Sequence, residues 1–576
     1  MDKGRKINLT PYYQSRACLA LLLIASAWSC STGGPAPTYD VVIRGGTVYD
    51  GLGGTPVQAD VAIAGDRIAA IGDLSASSAD IEIDATGKSV SPGFINMLSW
   101  ATESMIEDGR AMSDIKQGVT LEVMGEGWSM GPLNDDMKKL LVERQVDIHY
   151  DVKWTTLGEY LDYLAKRGVS PNIASYVGAG TVRIHEIAFE NRKATEQELS
   201  RMQEHVRTAM REGALGVGSS LIYAPDNFAD TSELIALVGA AAEYGGAYIS
   251  HIRSEGTRLE EAVRELVEIS KATGAPAEIY HLKASGQSNW NKLDSVFEIV
   301  ENAQQEGQAI TADMYTYPVA ATGLDAAMPL WVQEGGHDAW VAALQEPEIR
   351  ARVVAEMNAH GGDWENLFLE AGPENMILLG FKNEALRPLI GKTLAEVAAM
   401  RGTSAADTAI DLVIEDDTRV GTGYVIMTEA NVRKKAARSW VSFGSDAGAP
   451  ASEGVFLNNN VHPRAYGTFA RVIGKYVREE GVLSLAEAVR RMTSLPAGNI
   501  GIRNRGRLSA GYYADVAVFD PDEVRDFATF ENPHQYSTGV EQVFVNGVRV
   551  LKDGEHTSAT PGRVVRGPGW TGWDDE

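Results

Sequence analysis

Ala247-Tyr-Ile-Ser-His251-Ile-Arg253 and Ala277-Glu-Ile-Tyr-His281-Leu-Lys283 are two short apolar runs, each ending in His-x-basic, with their histidines about 30 residues apart. That interval is about one strand–helix–strand unit, so the runs read as neighbouring parallel strands whose C-terminal ends lie side by side. Outward from this pair the same pattern recurs at Pro92 to Trp100, Val119 to Gly127, Ile173 to Thr181 and Ala214 to Ile222, then at Ala309 to Tyr317 and Trp440 to Ala447. Eight short strands alternating with helical patterns, most ending in polar residues, predict a (β/α)8 TIM barrel whose site lies at the strands' C-terminal ends.

The interval from about Asp325 to Arg438 is too long for one strand-to-helix connection and reads as a mainly helical insertion before the last barrel strand. Strand-like alternation also appears at both ends of the chain, in Tyr39-Asp-Val-Val-Ile-Arg and Val61-Ala-Ile-Ala, and in Ala514-Asp-Val-Ala-Val-Phe and Val543-Phe-Val-Asn-Gly. Each end is too short to bury its own faces. Together, residues 38–90 and 503–565 are expected to form one small β-sandwich domain beside a barrel domain at 91–502.

Lys3, Arg5, Lys6 and Arg16 precede an apolar run from Ala17 to Trp28, the order of a secretory signal over residues 1–30. Cys30 is a candidate for lipid attachment, which would be the chain's single link to a membrane, although Trp28 fits a lipobox poorly. The expected destination is the periplasm. The only two cysteines, Cys18 and Cys30, both lie in this leader, so the mature chain is expected to carry no internal disulfide. The 576 residues have a formal net charge of -26 and a pI near 4.9. No basic stripe is present to neutralise phosphates, which argues against a nucleic-acid partner.

One histidine at a strand end is more often a hydrogen-bonded rim residue than a ligand. Two at matched positions on adjacent strands point instead to a shared metal, imidazole being the commonest protein ligand. Glu126, in Gly125-Glu126-Gly127 at the second strand's end, supplies a carboxylate where glycines permit close backbone approach. Glu126, His251 and His281 would make the three-ligand, open-position centre of a hydrolytic zinc site. Asp446, in Gly444-Ser-Asp446, ends the last strand, where it either caps the next helix or serves as general base and then acid. His149, His185, His205, His337, His360, His534 and His556 fall outside the strand-end pattern and read as surface or structural.

From Tyr39 to Arg563 the chain resembles the D-aminoacylase branch of the amidohydrolase superfamily. The resemblance is carried by Val90-Ser-Pro-Gly-Phe-Ile, His251-Ile-Arg-Ser-Glu, His281-Leu-Lys, Asp313-Met-Tyr-Thr-Tyr-Pro, Gly444-Ser-Asp446, His462-Pro-Arg464-Ala-Tyr-Gly and Met492-Thr-Ser-Leu-Pro-Ala, in family order. It implies a metal-dependent hydrolase of linear amides, an N-acyl-D-amino-acid deacylase, with His251 and His281 on the metal and Asp446 as the catalytic aspartate. For substrate contacts it offers Lys283, Arg464, Tyr223, and Tyr315 or Tyr317. Where the family carries His-x-His after the first strand, this chain has Leu98 and Trp100, and the cysteine usual after the second strand is absent, with Glu126 nearest to its place. These departures imply one divalent metal, most simply Zn²⁺. A dipeptidase, a cyclic-amide hydrolase, or a non-catalytic periplasmic relative that kept the barrel are the alternatives.

Overall fold

The computed structural model describes residues 38–362 and 364–573; the proposed leader, with Cys18 and Cys30, lies outside the described residues. Eight strand positions run in parallel order: β1 (Phe94–Asn96), β2 (Val119–Met124), β3 (Asn172–Ser175, resuming at Val177–Gly178), β4 (Gly216–Ser220), β5 (Ala247–His251), β6 (Ala277–Ile279), β7 (Ile310–Met314) and β8 (Val441–Phe443). β1 to β3 form one hydrogen-bonded arc, and Val177–Gly178 through β8 form another. The ring closes through Met97 N donating to Phe443 O at 3.3 Å and Asp446 N donating to Leu98 O at 2.8 Å.

Strand alternation sorts the side chains. Leu121 and Val123 of β2, and Ala247 and Ile249 of β5, share an interior cluster with Ile95, Leu98, Tyr176 and Tyr280. Tyr248 packs into the larger cluster under the surrounding helices. The strands are shorter than the sequence suggests. Ile173 to Thr181 breaks at Tyr176, and Ala179–Ile187 is already helix. This short run of mostly small and apolar residues carries no clear period to separate the two states.

The terminal strands, 38–90 and 503–565, join in one nine-stranded mixed sheet. The first strand, Thr38–Val48, shifts register between Ile43 and Gly46, so that its first half pairs with Ser78–Asp84 and its end with Ser89–Pro92. The sheet's strands from both ends of the chain close one core, which includes Val41, Ile43, Val61, Ile63, Val516 and Val518. Asp515 fastens it to the barrel by accepting from Asn172 Nδ2 at 3.3 Å and pairing with Arg505.

The insertion is mainly helical, as its length and pattern suggest. It includes an antiparallel three-stranded sheet made from Val319–Gly323, Met376–Gly380 and Gly421–Val425, so it starts at Val319 rather than near Asp325. Its residues close a separate core. The helix Glu429–Ala436 belongs to the barrel instead, since Val432 and Ala436 pack into the barrel's outer cluster. Among the described residues no helix is long and apolar enough to cross a membrane.

Candidate metal centre

Period-2 alternation places His251 on the same face of β5 as Ala247 and Ile249, so its ring rises from the interior at the strand's C-terminal end. His281 arrives differently. Ala277 and Ile279 face the helices while Tyr280 faces the interior, so an unbroken strand would turn His281 away from the mouth. A left-handed φ of 33° at His281 breaks the alternation, and its N–H donates to Asp313 Oδ1 at 2.9 Å. A side-chain-bearing residue held there costs about 1–3 kcal/mol, a strain that clusters at functional sites. Asp446, with φ 51°, is held in the same way.

Glu126 follows β2 between two glycines in left-handed conformations. A Cβ at Gly125 would stand 2.4 Å from Tyr176 O, and one at Gly127 would stand 2.5 Å from Ser220 Cβ. Only glycine lets the loop press against β3 and β4 and aim the carboxylate inward.

The three side chains converge. Glu126 Oε1 lies 3.1 Å from His251 Nδ1 and 2.8 Å from His281 Nε2, all three residues are buried, and their donor atoms lie within 4.8 Å of one another. Burial opposes ionisation of Glu126, but the two imidazoles outweigh it and hold the carboxyl well below its usual range. Burial and Lys283 act to discharge His281, while Glu126 and Glu255 prevail and push it up to about 10. One carboxylate oxygen and two imidazole nitrogens, gathered in a buried pocket, fit a cation of the zinc type, whose bonds of about 2.0–2.2 Å need only a small adjustment here. His251 Nε2 makes no hydrogen bond and stands 3.4 Å from Glu255 Oε2.

Glu255 was not singled out from the sequence, although it stands four residues after His251 in a quoted motif. Its Oε1 lies 3.2 Å from His281 Nδ1 and 2.6 Å from Lys283 Nζ. Burial resists its charge, yet His251, Lys283 and His281 together hold its carboxyl far below the usual range. Glu255 thus faces the ring nitrogens of both histidines that point away from Glu126, the position from which a carboxylate fixes ligand tautomers. Glu365, in the insertion, accepts from the Glu255 N–H at 2.6 Å.

The structure places the remaining sequence-proposed residues around a cavity of about 390 Å³ lined by Trp100, Trp128, Phe189, Tyr223, Tyr315 and Arg464 among others. Asp446 faces Glu126 across Trp100, whose indole N–H lies 2.9 Å from Glu126 Oε2 and 3.2 Å from Asp446 Oδ1. Burial raises the Asp446 carboxyl above its ordinary range against the pull of Arg464. Arg464 Nη1 lies 2.7 Å from Asp446 Oδ2, its Nε has no hydrogen-bond partner, and its guanidinium covers the Tyr315 ring at 4.5 Å. Lys283 is engaged by Glu255 and by His281 Nδ1 at 2.7 Å. Tyr315 reaches the cavity with an unpartnered hydroxyl, whereas Tyr317 donates to Asp526 at 3.2 Å. Tyr223 borders the cavity but donates to Thr322 at 2.8 Å. Leu98 is sealed in the barrel interior.

A parallel eight-stranded ring with a Glu-His-His centre at its C-terminal mouth and an aspartate opposite defines a metal-dependent hydrolase of amide C–N bonds. The chain belongs to the amidohydrolase family, whose profile matches residues 82–551. It is 32% identical to a D-aminoacylase of Alcaligenes xylosoxydans xylosoxydans over 92% of this chain and 97% of that protein. It is 33% identical to an N-acyl-D-glutamate deacylase of the same organism over 92% and 96%. The solved N-acyl-D-glutamate deacylase of Bordetella bronchiseptica, complexed with zinc and a phosphonate mimic of the tetrahedral intermediate, superposes with a TM-score of 0.75 at 30% identity, covering 92% of this chain and all of that one.

Proposed function

We propose that this protein deacylates N-acyl-D-amino acids with a single Zn²⁺ held by Glu126, His251 and His281. What carries the reading is the convergence of those three donors opposite Asp446 in a cavity large enough for a small ligand. The substrate class follows the relatives named D-aminoacylase and N-acyl-D-glutamate deacylase. A cation bound there supplies Lewis acidity toward water and toward the scissile carbonyl.

Asp446, as the carboxylate, accepts the proton of the attacking water and returns it to the nitrogen of the departing amino acid. Trp100 and Arg464 each hold one Asp446 oxygen, which keeps the base aimed at the centre. Glu255 faces His251 Nε2 and His281 Nδ1, the ring nitrogens turned away from Glu126, and anchors Lys283. The free Nε of Arg464, with Lys283 and the Tyr315 hydroxyl, binds the carboxylate of the amino-acid half, and Tyr223 lines the substrate's path. A single ion is favoured because Leu98 is buried in the interior and the Trp100 indole already donates to Glu126 and Asp446.

The chain is proposed to work in the periplasm after removal of residues 1–30, on a small amide substrate. Metal-loaded protein presented with paired N-acyl D- and L-amino acids should release free amine from the D series. No release from any member of either series would overturn the reading.

A further inference from the structure

The arrangement at Glu126 occurs a second time on the outside of the barrel. His185 and Glu186 lie in the last turn of the helix Ala179–Ile187, and His205 lies on the next helix, Glu196–Arg211. Glu186 Oε1 stands 3.1 Å from His185 Nδ1 and 2.9 Å from His205 Nε2. At the buried centre the same atom types, Oε1, Nδ1 and Nε2, stand 3.1 and 2.8 Å apart. The imidazole rings are 4.1 Å apart here and 4.4 Å apart there. In both groups every donor atom lies within 4.8 Å of the others.

The differences concern access. His185 and His205 keep 21% and 27% of their side-chain surface, while Glu186 keeps 8%. Water can therefore complete a coordination shell on the open side. Arg201 holds the other Glu186 oxygen, which fixes the carboxylate's orientation and leaves Oε1 to the two rings. A tetrahedral ion bonded at about 2.0–2.2 Å sets neighbouring donors roughly 3.3–3.6 Å apart, a few tenths of an ångström beyond the separations found.

We propose that His185, Glu186 and His205 form a second, peripheral site for a divalent cation of the zinc type, independent of the catalytic centre. The ion would staple the two helices at the point where the chain leaves the first of them. Ala188, with φ 51°, turns the chain there toward Phe189. The Phe189 ring lines the cavity, and its carbonyl accepts from Gly335 N of the insertion at 3.4 Å. Its effect is thus expected on the rigidity of one cavity wall, not on the chemical step.

Equilibrium dialysis of the full holoprotein against zinc tests this. Wild type should bind one ion more than His185→Gln or His205→Gln, or should bind that ion at least about tenfold more tightly, since losing a direct ligand costs no less than losing a supporting one. His281→Ala should retain this second ion while losing the first. Zinc should also raise the Tm of wild type more than that of His205→Gln, because an ion bound only to the folded state stabilises it by mass action. Equal zinc uptake by wild type and both glutamine variants would overturn the proposal. So would loss of the extra ion in His281→Ala. Anomalous diffraction from a zinc-soaked wild-type crystal decides it without any variant: a peak bonded to His185 Nδ1 and His205 Nε2 is expected, and its absence at millimolar zinc refutes the site.

Discussion

Trp100 Nε1 lies between two carboxylates, 2.9 Å from Glu126 Oε2 and 3.2 Å from Asp446 Oδ1. From the sequence this residue registers only as a lost histidine. In the fold it supplies a donor that two like charges share at the mouth, and one that adds no charge of its own. Trp100→Phe keeps the ring and removes the N–H. A hydrogen bond to a charged group contributes about 1.5–3 kcal/mol, so kcat/KM should fall about ten- to a hundredfold. The catalytic centre should stay fully occupied. Kinetics identical to wild type would show that the indole merely fills space.

The ligand set makes a graded prediction. Glu126→Ala and His281→Ala each remove one of three donors and should be purified without the catalytic metal. Glu255→Gln keeps all three but replaces the carboxylate facing both rings, and should weaken metal binding about 10–100-fold while leaving a saturable site. Competition against a chelator of known affinity ranks the variants. Full occupancy in Glu126→Ala would remove that residue from the centre.

Asp446→Asn preserves shape and the Trp100 contact but cannot carry a proton at neutral pH. Metal content and Tm should stay near wild type, and turnover should drop about 10²–10⁴-fold, the usual share of a positioned acid–base group. Measuring kcat on the metal-loaded variant checks this, and a wild-type kcat would end the proton-transfer role.

The parts of this molecule legible in the sequence are those with a period or a repeated spacing. Strand alternation and the matched His-x-basic ends of β5 and β6 mark the barrel and two donors. Glu126 is legible because its flanking glycines announce a close approach. Glu255 was missed because its role depends on the loop after His251 folding back over both rings, which no spacing encodes. The pairing of Arg464 with Asp446 depends on the path of the chain between them, set by tertiary packing. The small-residue strand Val319-Ala-Ala-Thr-Gly has no hydrophobic alternation, so the insertion's sheet left no signal either.

Arg464 carries the prediction in which two roles must be separated. It is buried and paired with Asp446 at 2.7 Å, yet its Nε has no partner and its Nη2 makes only a 3.5 Å contact with Ala321 O. It can therefore restrain the base and still offer an edge to the substrate's carboxylate, a planar fork that lysine does not reproduce. If it clamps that carboxylate, Arg464→Lys should lose about 2–5 kcal/mol on an N-acyl amino acid, a fall in kcat/KM of about 30-fold or more. The matching carboxamide should fall much less. The restraint on Asp446 is read separately, through pH. Burial raises that carboxyl and Arg464 pulls it down, and it must be ionised to accept a proton. Removing the positive charge in Arg464→Gln therefore raises its pKa further, and the acid limb of kcat/KM should move to higher pH. Lysine, keeping the charge, should move that limb less. Equal losses on acid and carboxamide, an unmoved acid limb and a lowered Tm would together mean that the arginine serves only to hold the fold.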